Sequence, residues 1–229
     1  MPKGFVIAID GPAAAGKGTI SPLLAKKLNG FYLYTGAMYR CLALLCIEKG
    51  ISTKDKQSVI KILSDFEINF SGGEVYLNGK DVKERIKKED VAMGSSDVAT
   101  IKEVRDAMVI KQKNIAEEII ENGKPVIAEG RDTATRVFPN ADLKIFLTAK
   151  AEVRAKRRVV QIEEGGDKTE FENVLKDVKL RDSQDTNRET DPLVKTPGDY
   201  GYIVLDNSNM SEEETVDKII SLAKQKALI

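Results

Sequence analysis

Histidine is absent from all 229 residues of the chain. That absence excludes histidine general bases, Ser-His-Asp triads and histidine-ligated metals. Cysteine is nearly as scarce: Cys41 and Cys46 are the only two, five apart in an apolar stretch. Two thiols cannot complete a zinc site, and a disulfide between them suits helix geometry badly, so they read as small buried hydrophobes. No apolar run approaches the length of a membrane span, and the first residues are expected to pass straight into a core strand with no leader, which predicts a cytoplasmic protein. An excess of charge is also missing. Basic and acidic side chains number 36 each, so net charge points to neither a nucleic acid nor a membrane as partner.

What remains is a globular composition, 41% apolar and 31% charged, long enough for one large domain with insertions. Strand-like and helix-like segments alternate, which predicts an α/β fold with a parallel sheet covered on both faces by helices. Strands are expected over 5–10, 31–34, 125–129, 143–147 and 202–206. Helices are expected over 17–28, 36–49, 101–122, 151–163, 170–184 and 211–226. Val104, Met108, Ile115, Ile119 and Ile120 keep a helical rhythm that Asn122-Gly123 ends. Ser211 with Glu214 forms a capping-box pattern. Pro22, in the second turn of its helix, predicts a kink. Around Ser71-Gly72-Gly73 and Asn78-Gly79 the pattern turns to short strands and tight turns, so a small β insertion is expected at roughly 64–100. Glu163-Glu164-Gly165-Gly166-Asp167 joins two charged helices and reads as the mobile tip of a short helical lid over roughly 154–185.

The most informative segment is G-P-A-A-A-G-K-G-T: Gly11, Pro12, Ala13, Ala14, Ala15, Gly16, Lys17, Gly18 and Thr19, directly after the apolar run F-V-I-A-I-D. A strand entering a glycine-bounded loop, then a lysine, then a helix cradles polyphosphate. Backbone N–H groups and the helix N-terminus face the anion, and Lys17 reaches its terminal phosphates. Gly18 separates the lysine from Thr19, a variant that resembles nucleoside monophosphate kinases more than GTPases or motor ATPases. No N-K-x-D run for guanine is present. Seven of the ten arginines fall between 131 and 188, and a planar guanidinium suits bidentate phosphate contacts. Arg154 and Arg158 are spaced i, i+4 with Arg157 between, which predicts one helix face carrying three repelling charges and a lid that stays open until phosphates arrive. Two roles are open to Asp10, a group behind a magnesium ion or a strand-end cap. The plainer alternatives are a helix N-cap for Ser96, a loop ion pair for Arg131 with Asp132, and an i, i+3 surface pair for Asp185 with Arg188.

Further runs occur in order: Thr35-Gly36-Ala37-Met38-Tyr39-Arg40, Ser95-Ser96-Asp97-Val98 before Arg105, Glu129-Gly130-Arg131-Asp132, and Arg181-Asp182-Ser183-Gln184-Asp185-Thr186-Asn187-Arg188. Together with the phosphate loop they resemble the bacterial cytidylate kinases, within the nucleoside monophosphate kinase family of P-loop proteins, over nearly the whole length. The resemblance implies a P-loop kinase fold with a five-stranded parallel sheet, a nucleoside monophosphate-binding insertion and a lid. It implies phosphoryl transfer from ATP, with Mg²⁺, to CMP or dCMP by a monomer. On matching positions, residues 11–19 hold the ATP phosphates, with Lys17 on the β and γ groups and Thr19 serving the metal. Arg40, Arg131 and Arg188 clamp the acceptor phosphate. Ser96, Arg105 and Asp132 face the cytosine, Arg181 and Asp185 hold the sugar, Thr35 joins the acceptor site, and Arg154, Arg157 and Arg158 close over the transferring group. The chain departs from the family pattern in three places. Tyr34-Thr35-Gly36 replaces D-S-G, Glu129 stands for an aspartate, and Thr133-Ala134-Thr135-Arg136 replaces a run like I-G-T-V, where Ala134 adopts positive φ less cheaply than glycine. A kinase turned toward UMP and a nucleotide-responsive protein without chemistry are the rival readings. The site residues argue against both.

Overall fold

The computed structural model describes residues 4–71 and 73–229; Gly72 of the expected first hairpin turn lies outside them. Five strands form the main sheet: β1 (Val6–Asp10), β2 (Phe31–Tyr34), β6 (Val126–Gly130), β7 (Leu143–Thr148) and β8 (Ile203–Asp206), in the order β2-β6-β1-β7-β8. The sheet is parallel. In register, Ile7 of β1 lies between Ile127 of β6 and Leu143 of β7. Every residue of β1 is buried, as expected of a central strand covered on both faces. A smaller antiparallel sheet joins β3 (Ile68–Ser71), β4 (Glu74–Leu77) and β5 (Lys80–Asp81), with Asn78-Gly79 making the second turn at positive φ.

The described residues also form eight α-helices: α1 (Lys17–Lys27), α2 (Thr35–Glu48), α3 (Lys56–Lys61), α4 (Glu89–Val98), α5 (Lys102–Glu121), α6 (Ala151–Glu164), α7 (Phe171–Asn187) and α8 (Glu212–Gln225). Gly123, with φ of 74°, ends α5 and donates its N–H to the Ile120 carbonyl. Ser211 and Glu214 form the reciprocal capping box at the start of α8. Helix α1 runs through Pro22 as one element. Among the described residues no helix is long and apolar enough to cross a membrane.

Two helices, α3 and α4, were not expected. Helix α4 contains Gly94, Ser95 and Ser96, all weak helix formers. Its glycine is required by packing: a Cβ at Gly94 would stand 2.9 Å from Thr53 Cγ2 and 3.2 Å from Ala43 Cβ. The run Thr133–Val137 forms a single π-helical turn, and Ala134 is absent from the residues at positive φ. The feared strain at that departure from the family pattern therefore does not arise.

The chain divides into two compact units. One comprises the chain up to Leu33 together with Ala116–Ile229, and the other is Tyr34–Ile115, which contains the stretch 64–100 and extends well beyond it. The first unit's core packs Ile7, Ile9 and Ile145 of the sheet with Ile20 and Leu24 of α1 and Val216 and Ile219 of α8. The second packs Met38, Cys41, Leu42 and Leu45 of α2 with Val91 of α4 and Val104 and Met108 of α5. Burial raises the Cys41 thiol to about 12 and the Cys46 thiol to about 11, as inert core thiols require.

Candidate active site

The glycine-bounded loop lies between β1 and α1. Gly11 is fixed by close approach: a Cβ there would stand 2.0 Å from the Leu147 carbonyl oxygen, and its φ is 152°. Gly16 caps α1 in the left-handed region, with φ of 93°. Ala14 also has positive φ, 56°, a conformation that costs a residue with a Cβ about 1–2 kcal/mol. Lys17 opens α1 and turns back over the loop. Its Nζ donates to the Gly11 carbonyl at 2.7 Å and the Pro12 carbonyl at 2.8 Å. Burial, with help from the Arg131 charge, lowers its pKa to about 7.

Glu129, near the end of β6, is buried. Tyr32 Oη donates to its Oε1 at 2.8 Å and Ser21 Oγ to its Oε2 at 3.3 Å. Burial pushes its carboxyl above the usual range against the pull of Lys17. Asp10 ends β1 fully buried. It accepts the Thr133 N–H at 2.9 Å, the Ala134 N–H at 2.7 Å and the Tyr202 hydroxyl at 2.6 Å. Three protein donors tie it to the turn after β6, the contacts its strand-end reading calls for. Burial and the Asp10 carboxylate push the Tyr202 phenol upward, keeping it a donor.

Arg131 follows β6, and its Nε donates to Asp185 of α7 at 2.6 Å. Burial alone would raise the Asp185 carboxyl, but the charge and hydrogen bond of Arg131 outweigh it and the net shift is downward. Arg188 caps α7. Its Nη2 lies 3.5 Å from Asp132 Oδ1, its Nη1 lies 4.0 Å from Asp185 Oδ1, and its Nε donates to the Asp191 carbonyl at 2.8 Å. The expected i, i+3 pair of Asp185 with Arg188 is present as part of a network in which Asp185 joins Arg131 to Arg188 and Arg188 reaches Asp132. Arg181 sits half-buried on α7.

The three arginines of α6 separate. Arg154 is buried and points at the phosphate loop. Its Nη1 donates to the Ala13 carbonyl at 2.8 Å, its Nη2 pairs with Asp182 at 2.7 Å, and its Nε donates to the Ala149 carbonyl at 2.9 Å. The expectation of one solvated face with three repelling charges therefore fails at Arg154, because Asp182 neutralises it and the loop buries it. Arg157 donates to the side chain and backbone carbonyl of Asn207, at 3.1 and 2.8 Å. Arg158 meets only Gln161 of its own helix among the hydrogen bonds resolved, at 3.4 Å. Asn207 follows β8, is buried, and donates to the Ala15 carbonyl at 3.2 Å.

The remaining expected residues belong to the Tyr34–Ile115 unit. Thr35 is the buried first residue of α2. Arg40 of α2 donates to the Ile86 carbonyl at 2.7 Å. Arg105 of α5 is 1% exposed, donates to the Ala99 carbonyl at 3.3 Å and lies 5.6 Å from the centroid of the Tyr39 ring. Ser96 is inside α4, its Oγ reaching back to the Ala92 carbonyl at 3.5 Å. The N-cap reading of Ser96 is therefore wrong. Asn207 and Asp182 were missed as site residues. Asn207 sits just beyond the C-terminal end of a parallel strand, where ligand sites gather in such sheets, and that signal alone could have flagged it. Among the described residues no group of three or more acidic or cysteine side chains is placed to hold a metal.

The family described as cytidylate kinase matches residues 7–225. A cytidylate kinase of Caldicellulosiruptor bescii is 43% identical over 96% of each chain. One of Caldanaerobacter subterraneus is 41% identical over 93% of this chain and 92% of its own. A gluconokinase structure from Sinorhizobium meliloti, 13% identical, superposes with a TM-score of 0.51 over 99% of this chain and 96% of that one, a likeness of fold. A glycine-bounded loop running into a buried lysine, on a five-stranded parallel sheet and with that length of agreement, shows that the chain is an enzyme of the cytidylate kinase family.

Proposed function

We propose that the protein transfers the γ-phosphoryl group of ATP to CMP and dCMP, giving ADP with CDP or dCDP, with Mg²⁺ and without a general base. The observation that carries this reading is Lys17, buried at the head of α1 beside the Arg131 charge. A lysine held there, with its pKa already lowered, gains most from an arriving polyphosphate. In this reading residues 11–19 bind the donor phosphates. Arg40, Arg131 and Arg188 hold the acceptor phosphate. Ser96, Arg105 and Asp132 read the cytosine, whose exocyclic amine is a donor that a carboxylate accepts. Arg181 and Asp185 orient the sugar, Thr35 supports the acceptor, and Arg157 and Arg158 offset charge on the transferring group.

The acceptor phosphate is already an anion at neutral pH, so it needs orientation and charge neutralisation rather than deprotonation. The carboxylates fit that assignment. Asp10 is committed to Thr133, Ala134 and Tyr202, and Glu129 to Tyr32 and Ser21. The donor set fits a magnesium ion that keeps most of its shell from phosphate and water. Thr19 offers a half-buried hydroxyl in the first turn of α1, and among the described residues no acidic cage competes for the ion. When bound, Mg²⁺ would neutralise charge on the donor phosphates. Balanced net charge supports small nucleotides as the partners, with neither nucleic acid nor membrane involved, for a cytoplasmic monomer. A coupled assay of ADP formation across CMP, dCMP, UMP, AMP, GMP and dTMP tests the reading. CMP and dCMP should exceed UMP at least about tenfold in kcat/KM. Failure to form ADP with CMP and Mg-ATP would overturn it.

A further inference from the structure

We propose that Arg154 and Asp182 are a positioning pair for the phosphoryl donor, setting the shape of the phosphate loop at Ala13 without touching the nucleotide. Ala13 is held by both of its backbone groups. Asp182 Oδ1 accepts its N–H at 3.2 Å, while Arg154 Nη1 donates to its carbonyl at 2.8 Å. The two side chains close the ring through a 2.7 Å ion pair. The grip comes from both helices of the lid, since Arg154 lies on α6 and Asp182 on α7. The third Arg154 donor, Nε on the Ala149 carbonyl, anchors the guanidinium at the root of α6. A planar fork satisfies these three directions together, and an ammonium cannot.

The next residue supplies a reason for the grip. Ala14 is held at φ of 56°, a strained conformation that persists only where its surroundings fix it. Its side chain packs against Ala155, Val174 and Val178, the small core between α6 and α7. Ion pair and apolar contact therefore both tie the apex of the loop to the base of the hairpin. Three of the five N–H donors of the buried Arg154 guanidinium are committed to protein and its charge is matched by Asp182, unlike the role its spacing suggested. Any closure of the lid must pivot beyond this anchor, toward Gly165-Gly166, where Gly166 takes φ of 88°.

The proposal rests on the donor role assigned to the loop, but its test is independent of the acceptor. Calorimetric binding of Mg-ATP is measured for Asp182→Ala, Asp182→Asn, Arg154→Lys and the Arg154→Lys/Asp182→Ala double variant, alongside thermal melting and steady-state kinetics. Loss of one charge-assisted hydrogen bond to the loop should weaken ATP binding about tenfold in Asp182→Ala, with KM for CMP within twofold. Asp182→Asn should recover part of the loss, because its amide oxygen still accepts the Ala13 N–H. The double variant should be no weaker than the worse single one, since both act through Ala13. If Asp182→Ala does not fold, the near-isosteric Asp182→Asn and Arg154→Lys decide. Folded variants that bind ATP as the wild type does, or that lose donor and acceptor affinity in parallel, would overturn the proposal. ATP binding that weakens as expected in a protein that never phosphorylates CMP would refute the acceptor assignment and leave the positioning pair standing.

Discussion

In the unit built on the parallel sheet, Asp10, Lys17, Glu129, Asp132 and Arg154 are all buried. In the Tyr34–Ile115 unit the buried charged side chain, among the described residues, is Arg105. Ion pairs of that second unit such as Lys49–Asp65, Lys56–Glu103 and Arg85–Asp90 lie at the surface, where they contribute little. Its interior is Met38, Leu42, Val91, Val104 and Met108. Enclosing an ion costs several kcal/mol even after relaxation, so a unit that encloses five is organised around something other than its own stability. The contrast is between a unit that buries five charged side chains and a unit whose interior, Arg105 apart, is apolar.

The hardest blow to that contrast is Lys17→Met. Losing the buried cation should lower kcat/KM by roughly a thousandfold or more, while the thermal midpoint holds or rises, because an apolar side chain of similar length replaces a buried charge. Turnover near wild type would remove the lysine from the chemistry. The same residue makes a pH prediction. An unfolded lysine keeps its proton to about pH 10, whereas folded Lys17 releases it near 7. Between those values the unfolded chain binds more protons, so this group's contribution to ligand-free stability rises with pH across that window and is flat below it. The Lys17→Met protein should lose that slope, which melting curves at pH 7, 8 and 9 would reveal.

Leu42→Ala attacks the other side of the comparison. Leu42 is fully buried in the Tyr34–Ile115 core, and truncation should cost about 3 kcal/mol in denaturant unfolding. KM for ATP, measured on the folded fraction, should stay within twofold. A smaller change is expected from Asp132→Asn. Asp132 is buried with its Oδ1 at 3.5 Å from Arg188. The amide keeps the size, removes the charge, and should narrow the preference for CMP over UMP about tenfold, with ATP binding unaffected. Unchanged relative kcat/KM for the two acceptors would end the cytosine-reading role.

The sheet strands were legible because each is a short apolar run bounded by turn residues, and β2 and the capping box at Ser211 fall where the pattern put them. Helix α4 was not, since Gly94 reads locally as a breaker and becomes a helix residue only against Thr53 and Ala43. Within the site, the loop could be named from its spacing, and Arg131, Asp185 and Arg188 through the family resemblance of the runs that contain them. Which way each arginine of α6 faces could not. Spacing gives a shared helix face, but Arg154 is claimed by Ala13, 141 positions away. Asp182 and Asn207 acquire meaning through bonds spanning 169 and 192 positions, and no local pattern encodes a contact of that range.

The mildest test asks whether scaffold and site within the sheet unit are separable. Ser211 Oγ accepts the Glu214 N–H at 3.1 Å, and Glu214 returns a 2.7 Å contact to the Ser211 N–H. This cap starts α8, whose Val216 and Ile219 pack in the same core as Ile20 and Leu24 of α1, the helix that begins with Lys17. Ser211→Ala should remove about 1 kcal/mol of stability. It should leave KM for ATP unchanged, because the loop is held from its other side by Arg154, Asp182 and Asn207. A rise in KM for ATP that accompanied so peripheral a loss would mean that α8 sets the position of α1, and through it of Lys17. The buried charges would then depend on apolar packing, as the other unit does, and the contrast between the two regions would be one of composition rather than of purpose.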